Sequence, residues 1–62
     1  MTVYLDRWQE IRGKPSQIGD NSAVIAGIEI ALPPEILDRL RPHLGARVGV
    51  LRTDDDYRVR GV

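Results

Sequence analysis

The C-terminal stretch VGVLRTDDDYRVRGV, residues 48–62, can fold back on itself in only one parity that gathers Val48, Val50 and Val59 on one face and keeps Arg58 and Arg60 off it. Side chains alternate between the two faces of a strand, so a slip of one residue moves every side chain to the other face. A loop of two or four residues sets 50 opposite 61, 51 opposite 60 and 52 opposite 59. Val48, Val50, Tyr57 and Val59 then share one face, while Arg47, Leu51, Thr53, Arg58 and Arg60 share the other. A three-residue loop instead mixes Val48 and Val50 with Arg52, Arg58 and Arg60, which burial rejects. The expectation is a hairpin, 46–53 with 57–62, whose valines look inward and whose arginines look outward.

Asp54, Asp55 and Asp56 fall at the tip of that hairpin. Aspartate suits a tip because its side chain bonds nearby backbone amides and tolerates left-handed conformations. Magnesium and calcium need six or more oxygens in a shaped cage. Three adjacent aspartates on an exposed turn cannot all converge on one ion. The run is read as a turn, and no metal site is expected.

Upstream, AVIAGIEIAL alternates, with Val24, Ala26, Ile28, Ile30 and Leu32 in one phase and Ile25, Gly27, Glu29 and Ala31 in the other. This predicts a long strand over 23–32, paired with 46–53, in which Gly27 marks a bulge or a close backbone approach. In LPPEILDRLRPHLG, Pro33 keeps Leu32 extended and Pro34 suits the first helical position. A short helix over 34–41 follows, with Ile36, Leu37, Leu40 and Leu44 as its buried stripe. Glu35 and Arg39 are spaced for an ion pair. Pro42 stops the helix, and Gly45 closes the turn behind it.

The opening segment is less determined. Tyr4, Leu5, Trp8 and Ile11 fall at helical spacing, with Asp6, Arg7, Gln9, Glu10 and Arg12 opposite them. This predicts a helix over 3–12, capped by Thr2 and Gly13, with Trp8 in the core. The alternative is a strand using Val3, Leu5 and Arg7. The whole is expected to be a single α+β domain over 1–62, with an antiparallel sheet, the short helix over 34–41 and this N-terminal one. A small OB-like or swapped-hairpin β-barrel is the alternative, and it requires strands where a helix and a loop are read.

A domain of 62 residues buries only about 60% of the surface its unfolded chain exposes, so it gains from a disulfide, a metal or a partner. Cysteine is absent and histidine occurs once. Disulfides and thiolate sites are therefore excluded, and self-association as a homodimer is the expected helper. The balance of 42% hydrophobic and 29% charged residues is that of a globular domain. No apolar run has the length of a membrane span and no signal-peptide pattern is present, so the expected location is cytoplasmic, without membrane contact.

Catalytic groups are sparse. His43 follows a helix-ending proline with no serine or cysteine near it, and Ser16 and Ser22 lie in loops without a base. The glycines form no phosphate-binding pattern. Neither an enzyme nor a cofactor is expected, and no catalytic residue is assigned. The net charge of zero offers no global attraction to nucleic acid, so any such attraction must come from where the charges sit. Arg47, Arg58 and Arg60 gather on the outer hairpin face, with Arg52 near its tip. These four are the candidate phosphate contacts.

The stretch from Ile28 to Arg60 carries an ordered set of parts: a strand ending in proline, the helix PEILDRL, a glycine, then two strands. With Leu40, Gly45 and Val48 spaced as they are from Pro34, it resembles the SpoVT/AbrB swapped-hairpin family. That resemblance implies an intertwined dimer that binds DNA, as a transcription regulator or an antitoxin. The expected function is a nucleic-acid-binding module. The alternative is a protein-interaction or assembly module, for which Leu51 and the apolar second face of strand 23–32 argue.

Overall fold

A computed structural model describes residues 2–62. Six strands and one helix follow in the order β1 (Glu10–Gly13), β2 (Pro15–Ile18), β3 (Ser22–Ile25), β4 (Ile28–Ala31), α1 (Pro34–Leu40), β5 (Val48–Arg52) and β6 (Tyr57–Gly61). They form two three-stranded antiparallel sheets, β1-β5-β6 and β2-β3-β4. Only Lys14 separates β1 from β2, so one bent stretch of chain serves both sheets. The α+β class stands. The sheets do not close into a barrel, because β4 and β6 are both edges.

The C-terminal hairpin keeps the expected faces in a register shifted by two residues. Val50 pairs with Val59, Arg52 with Tyr57 and Leu51 with Arg58, across a four-residue loop, 53–56. A shift of two preserves parity, so Val48 and Val50 are fully buried, Tyr57 and Val59 pack against the core, and Arg58 and Arg60 face solvent. The aspartates do form the tip. Thr53 and Asp56 close it through a backbone bond of 2.9 Å, and the Asp56 carboxylate accepts the Tyr57 amide at 2.8 Å.

Three expectations are overturned. The stretch 23–32 is not one strand but the hairpin β3–β4, turning at Ala26 and Gly27, whose φ values are 54° and 76°. Left-handed backbone at both central positions is the type I′ geometry that matches strand twist. The turn reverses the phase: Ala23 and Ile25 point inward with Ile30, while Val24 points outward opposite Glu29. Second, β5 pairs with β1 rather than with 23–32. Third, no helix occupies 3–12. Asp6–Gln9 is a turn closed by a 3.0 Å bond, with Trp8 at φ 63°, and Glu10–Gly13 is strand. An isolated helix this short is marginal in water, whereas Ile11 gains a half-buried place opposite Val50, packed against the core. Trp8 is 62% exposed and contributes nothing to the core.

Helix α1 begins at Pro34, behind an extended Pro33 whose carbonyl accepts the Ile36 and Leu37 amides. It ends at Leu40, and a 3₁₀ turn, Arg41–His43, continues it. Ile36, Leu37 and Leu40 are buried as expected, but Leu44 lies past the helix and is 56% exposed. Arg41 pairs with Asp38 at 3.2 Å on the helix surface; no Glu35–Arg39 pair forms. The stripe covers the inner faces of both sheets, where Leu5, Ala23, Ile25, Ile30, Leu32, Val48 and Val50 complete the core.

Gly13 sits where the bent stretch passes the β3–β4 turn. A β-carbon there would lie 2.8 Å from the Ala26 β-carbon and 3.0 Å from its backbone nitrogen. Gly13→Ala should therefore destabilise the fold by about 1–3 kcal/mol, the usual cost of overpacking. Leu40→Ala should cost about 2–5 kcal/mol by leaving a cavity under both sheets. Urea unfolding of the two variants checks this, and a midpoint unchanged from the parent for either would contradict the packing described.

Candidate nucleic-acid interface

The outer face of β1-β5-β6 is set by the same parity that buries the valines. Register places Glu10, Leu51 and Arg58 in one row across the three strands, and Arg12, Gly49 and Arg60 in the next. Arg47 and Val62 continue the pattern, joined by a backbone bond of 3.2 Å. Adjacent strands lie about 4.8 Å apart, so Arg12 and Arg60 leave the sheet about 10 Å from each other. Four guanidinium groups thus emerge from one surface patch of a chain whose net charge is zero.

Arg47, Arg58 and Arg60 are all exposed. Among the described residues none of them has a carboxylate within ion-pairing distance. Arg12 differs. Its Nε donates to Glu10 Oε1 at 3.0 Å, the side chains being 62% and 33% exposed. Gly49 lies beneath this pair, since a β-carbon on it would come within 3.3 Å of Glu10 Oε2 and 3.6 Å of Arg12 Cγ. The absence of a side chain at 49 is what lets the pair lie flat on the sheet. Glu10 is the one acidic group among these rows, and it offsets part of the positive field.

The fourth expected member, Arg52, belongs elsewhere. It shares parity with Val48 and Val50 and pairs with Tyr57, so it lies on the inner side of the hairpin. Its Nη1 donates to the Leu5 carbonyl at 2.6 Å, and its guanidinium stands 5.9 Å from the centre of the Tyr57 ring. Arg52 is a clamp that holds the N-terminal segment against the sheet. Its placement follows from the hairpin parity alone, which the proximity of the tip obscures. Arg12 went unassigned for the opposite reason: reading 3–12 as helix hid the alternation Glu10-Ile11-Arg12-Gly13.

Two other regions hold polar or aromatic groups. Glu29, on the outer face of β2-β3-β4, accepts bonds from Ser22 at 3.0 Å and Thr2 at 3.1 Å, beside an open cleft of about 410 Å³. Both of its carboxylate oxygens are engaged in these bonds. A second cleft, about 310 Å³, opens between the end of β4 and the start of β6 and is lined by Tyr4, Asn21, Ala31, Leu32, Pro33 and Tyr57. At the hairpin tip, Trp8 Nε1 donates to Asp54 Oδ1 at 3.2 Å. His43 stands in the 3₁₀ turn near Gly61. Among the described residues no cluster of histidines and carboxylates is placed to hold a metal ion.

The division of labour among the arginines is open to direct test. Arg52→Ala removes a bond from a charged donor and a contact with the Tyr57 ring, and should lower stability by about 1–3 kcal/mol. Arg58→Ala, on the solvent face, should change it by less than about 0.5 kcal/mol. Equal unfolding midpoints for the two variants would contradict this assignment.

In the comparisons with known proteins, no family model, no curated protein and no solved structure matches this chain.

Proposed function

We propose that this domain binds nucleic acid through the phosphate backbone, using Arg47, Arg58, Arg60 and Arg12 on the outer face of β1-β5-β6. The observation that carries this reading is the segregation of charge. Arg47, Arg58, Arg60 and Arg12 share one face with Glu10 and, at the hairpin tip, Asp56, although the chain as a whole is neutral. Arginine binds phosphate through paired donors in a fixed fork, which suits a flat patch of this kind. The DNA binding implied by the resemblance to the swapped-hairpin family points the same way.

The middle of the patch limits what it reads. Gly49 and Leu51 lie between the arginines, and the rows hold no aromatic ring to stack a base and no amide to pair with one. Contacts then go to phosphates, which position a protein on its target without reading sequence. Five strand segments with the helix before the last two, the bent β1–β2 stretch counted once, also suit the OB-like alternative. In OB folds the loops and the second and third strands bind oligonucleotides. Here the corresponding surfaces carry Asp54–Asp56 and Glu29, so the basic patch on the other sheet is the better candidate.

A second reading, a protein-interaction or assembly module, is favoured by the exposure of Tyr4 at 72%, Trp8 at 62% and Val62 at 52%. A homodimer is compatible with both readings. Elution as a stable oligomer that fails to retain duplex at low salt would select this reading over the first.

Binding to a fluorescent duplex as a function of salt tests the phosphate contact. Four phosphates imply a log–log slope of about −3.6, or about a hundredfold loss of affinity between 50 and 200 mM salt. Each of Arg47→Ala, Arg58→Ala and Arg60→Ala should reduce the slope by about one. No binding at 50 mM salt, or full binding by the triple variant, would overturn the reading.

A further inference from the structure

The two sheet edges of this molecule are treated differently. The β4 edge is covered by the chain itself: the Val3 amide donates to the Glu29 carbonyl and the Ala31 amide to the Val3 carbonyl, both at 2.8 Å. The β6 edge is open. In the β5–β6 ladder the Thr53 and Val62 amides donate to Asp56 and Arg47, so the hydrogen-bonded pairs are 47 with 62, 49 with 60, 51 with 58 and 53 with 56. By the alternation of an antiparallel ladder, Tyr57, Val59 and Gly61 turn their backbone groups away from β5. The Tyr57 amide is met by the Asp56 carboxylate at 2.8 Å. Among the described residues, no backbone bond outside the ladder engages Val59 or Gly61.

A strand added to this edge would meet two distinct surfaces. Its residues opposite Arg58 and Arg60 would lie in the closely spaced, non-hydrogen-bonded positions, where side chains approach most nearly. Residues opposite Val59 would point inward, toward the gap between the sheets. The cleft lined by Tyr4, Asn21, Ala31, Leu32, Pro33 and Tyr57, mostly but not wholly apolar, opens at the Tyr57 end of β6. The edge therefore calls for alternation of acidic and apolar residues. A second copy does not supply it. Any antiparallel two-fold pairing that overlaps three or more residues of 57–61 in hydrogen-bonding phase sets Arg58 or Arg60 against an arginine of the copy. Like charges directly opposite disfavour such a pair.

We propose that the β6 edge, residues 57–61, docks an extended peptide segment of alternating acidic and apolar residues as an added antiparallel strand. The backbone groups of Val59 and Gly61 supply the ladder, Arg58 and Arg60 select the charge, and the cleft beside Tyr57 takes an apolar side chain. Strand addition of this kind draws affinity from the main chain and specificity from alternate side chains. The site stands independently of nucleic-acid binding. It shares two arginines with the phosphate-binding patch, so the two ligands should compete if both readings hold.

The experiment follows amide hydrogen exchange by NMR while a capped peptide alternating glutamate and valine is added at neutral pH, where the glutamates keep the peptide itself apart. At about ten times the dissociation constant, exchange at the Val59 and Gly61 amides should slow about tenfold, while the Tyr57 amide, already capped, changes little. A peptide of the same composition with N-methyl groups on alternate, ladder-facing amides should bind at least about tenfold more weakly, the equivalent of one or two hydrogen bonds. The Arg58→Glu, Arg60→Glu double variant should lose this peptide and gain one alternating lysine and valine. No binding at low salt, undiminished binding of the methylated peptide, or unprotected Val59 and Gly61 amides in the bound state would each overturn the proposal. None of these outcomes bears on the salt dependence of duplex binding, so failure of the two readings can be told apart.

Discussion

Everything in this small fold is tied to the row in which Ile11, Val50 and Val59 stand side by side across β1, β5 and β6. Val50 is fully buried at its centre. Because side chains alternate along each strand, fixing this one row inward fixes every neighbour. Arg12, Arg58 and Arg60 have no inward option once Ile11 and Val59 are in place. A domain of this size has little apolar surface to spare. Burial of one valine row therefore does two things at once: it closes the core and it turns Arg12, Arg58 and Arg60 onto the opposite face.

The second constraint is continuity. The stretch from Glu10 to Ile18 bends at Lys14 and joins both sheets, so it cannot shift in one without disturbing the other. Gly13 permits the bend to approach the Ala26 turn, where a side chain would collide. Behind the bend, the Pro15 carbonyl accepts the Gly45 amide at 3.0 Å and so anchors the turn that follows the helix. Arg52 completes the tie by holding Leu5, and with it the N-terminal segment whose Val3 covers the β4 edge. What remains uncovered is β6, and the different treatment of the two edges is the basis for assigning it a partner.

Much of the C-terminal half was legible in the sequence because its signals are local and unambiguous. Pro33 and Pro34 fix the helix start, and the Val–Arg alternation after the aspartates admits only one parity. The N-terminal half was not legible. Tyr4, Leu5, Trp8 and Ile11 mimic a helical stripe, yet only Leu5 and Ile11 reach the core, and Trp8 turns outward with left-handed backbone. Nothing local announces that Ile11 will lie opposite Val50, since that pairing spans most of the chain. The stretch Ala23–Leu32 failed differently. Apart from Glu29 it is apolar or glycine in both phases, so a reversal of phase at Ala26–Gly27 leaves the pattern looking continuous. The basic patch was found in three parts of four for the same reasons: Arg47, Arg58 and Arg60 follow from the hairpin, whereas Arg12 depends on the long-range pairing of β1.

The central claim is the β5–β6 register, and the α-protons of the ladder report it directly. Val50 and Val59, and likewise Arg52 and Tyr57, form non-hydrogen-bonded pairs, in which the α-carbons approach to about 4.5 Å and the α-protons face each other. A nuclear Overhauser spectrum should show strong contacts between the α-protons of Val50 and Val59 and between those of Arg52 and Tyr57. Strong α-proton contacts joining Leu51 to Val59 instead would place valines and arginines on shared faces, and the account would fail.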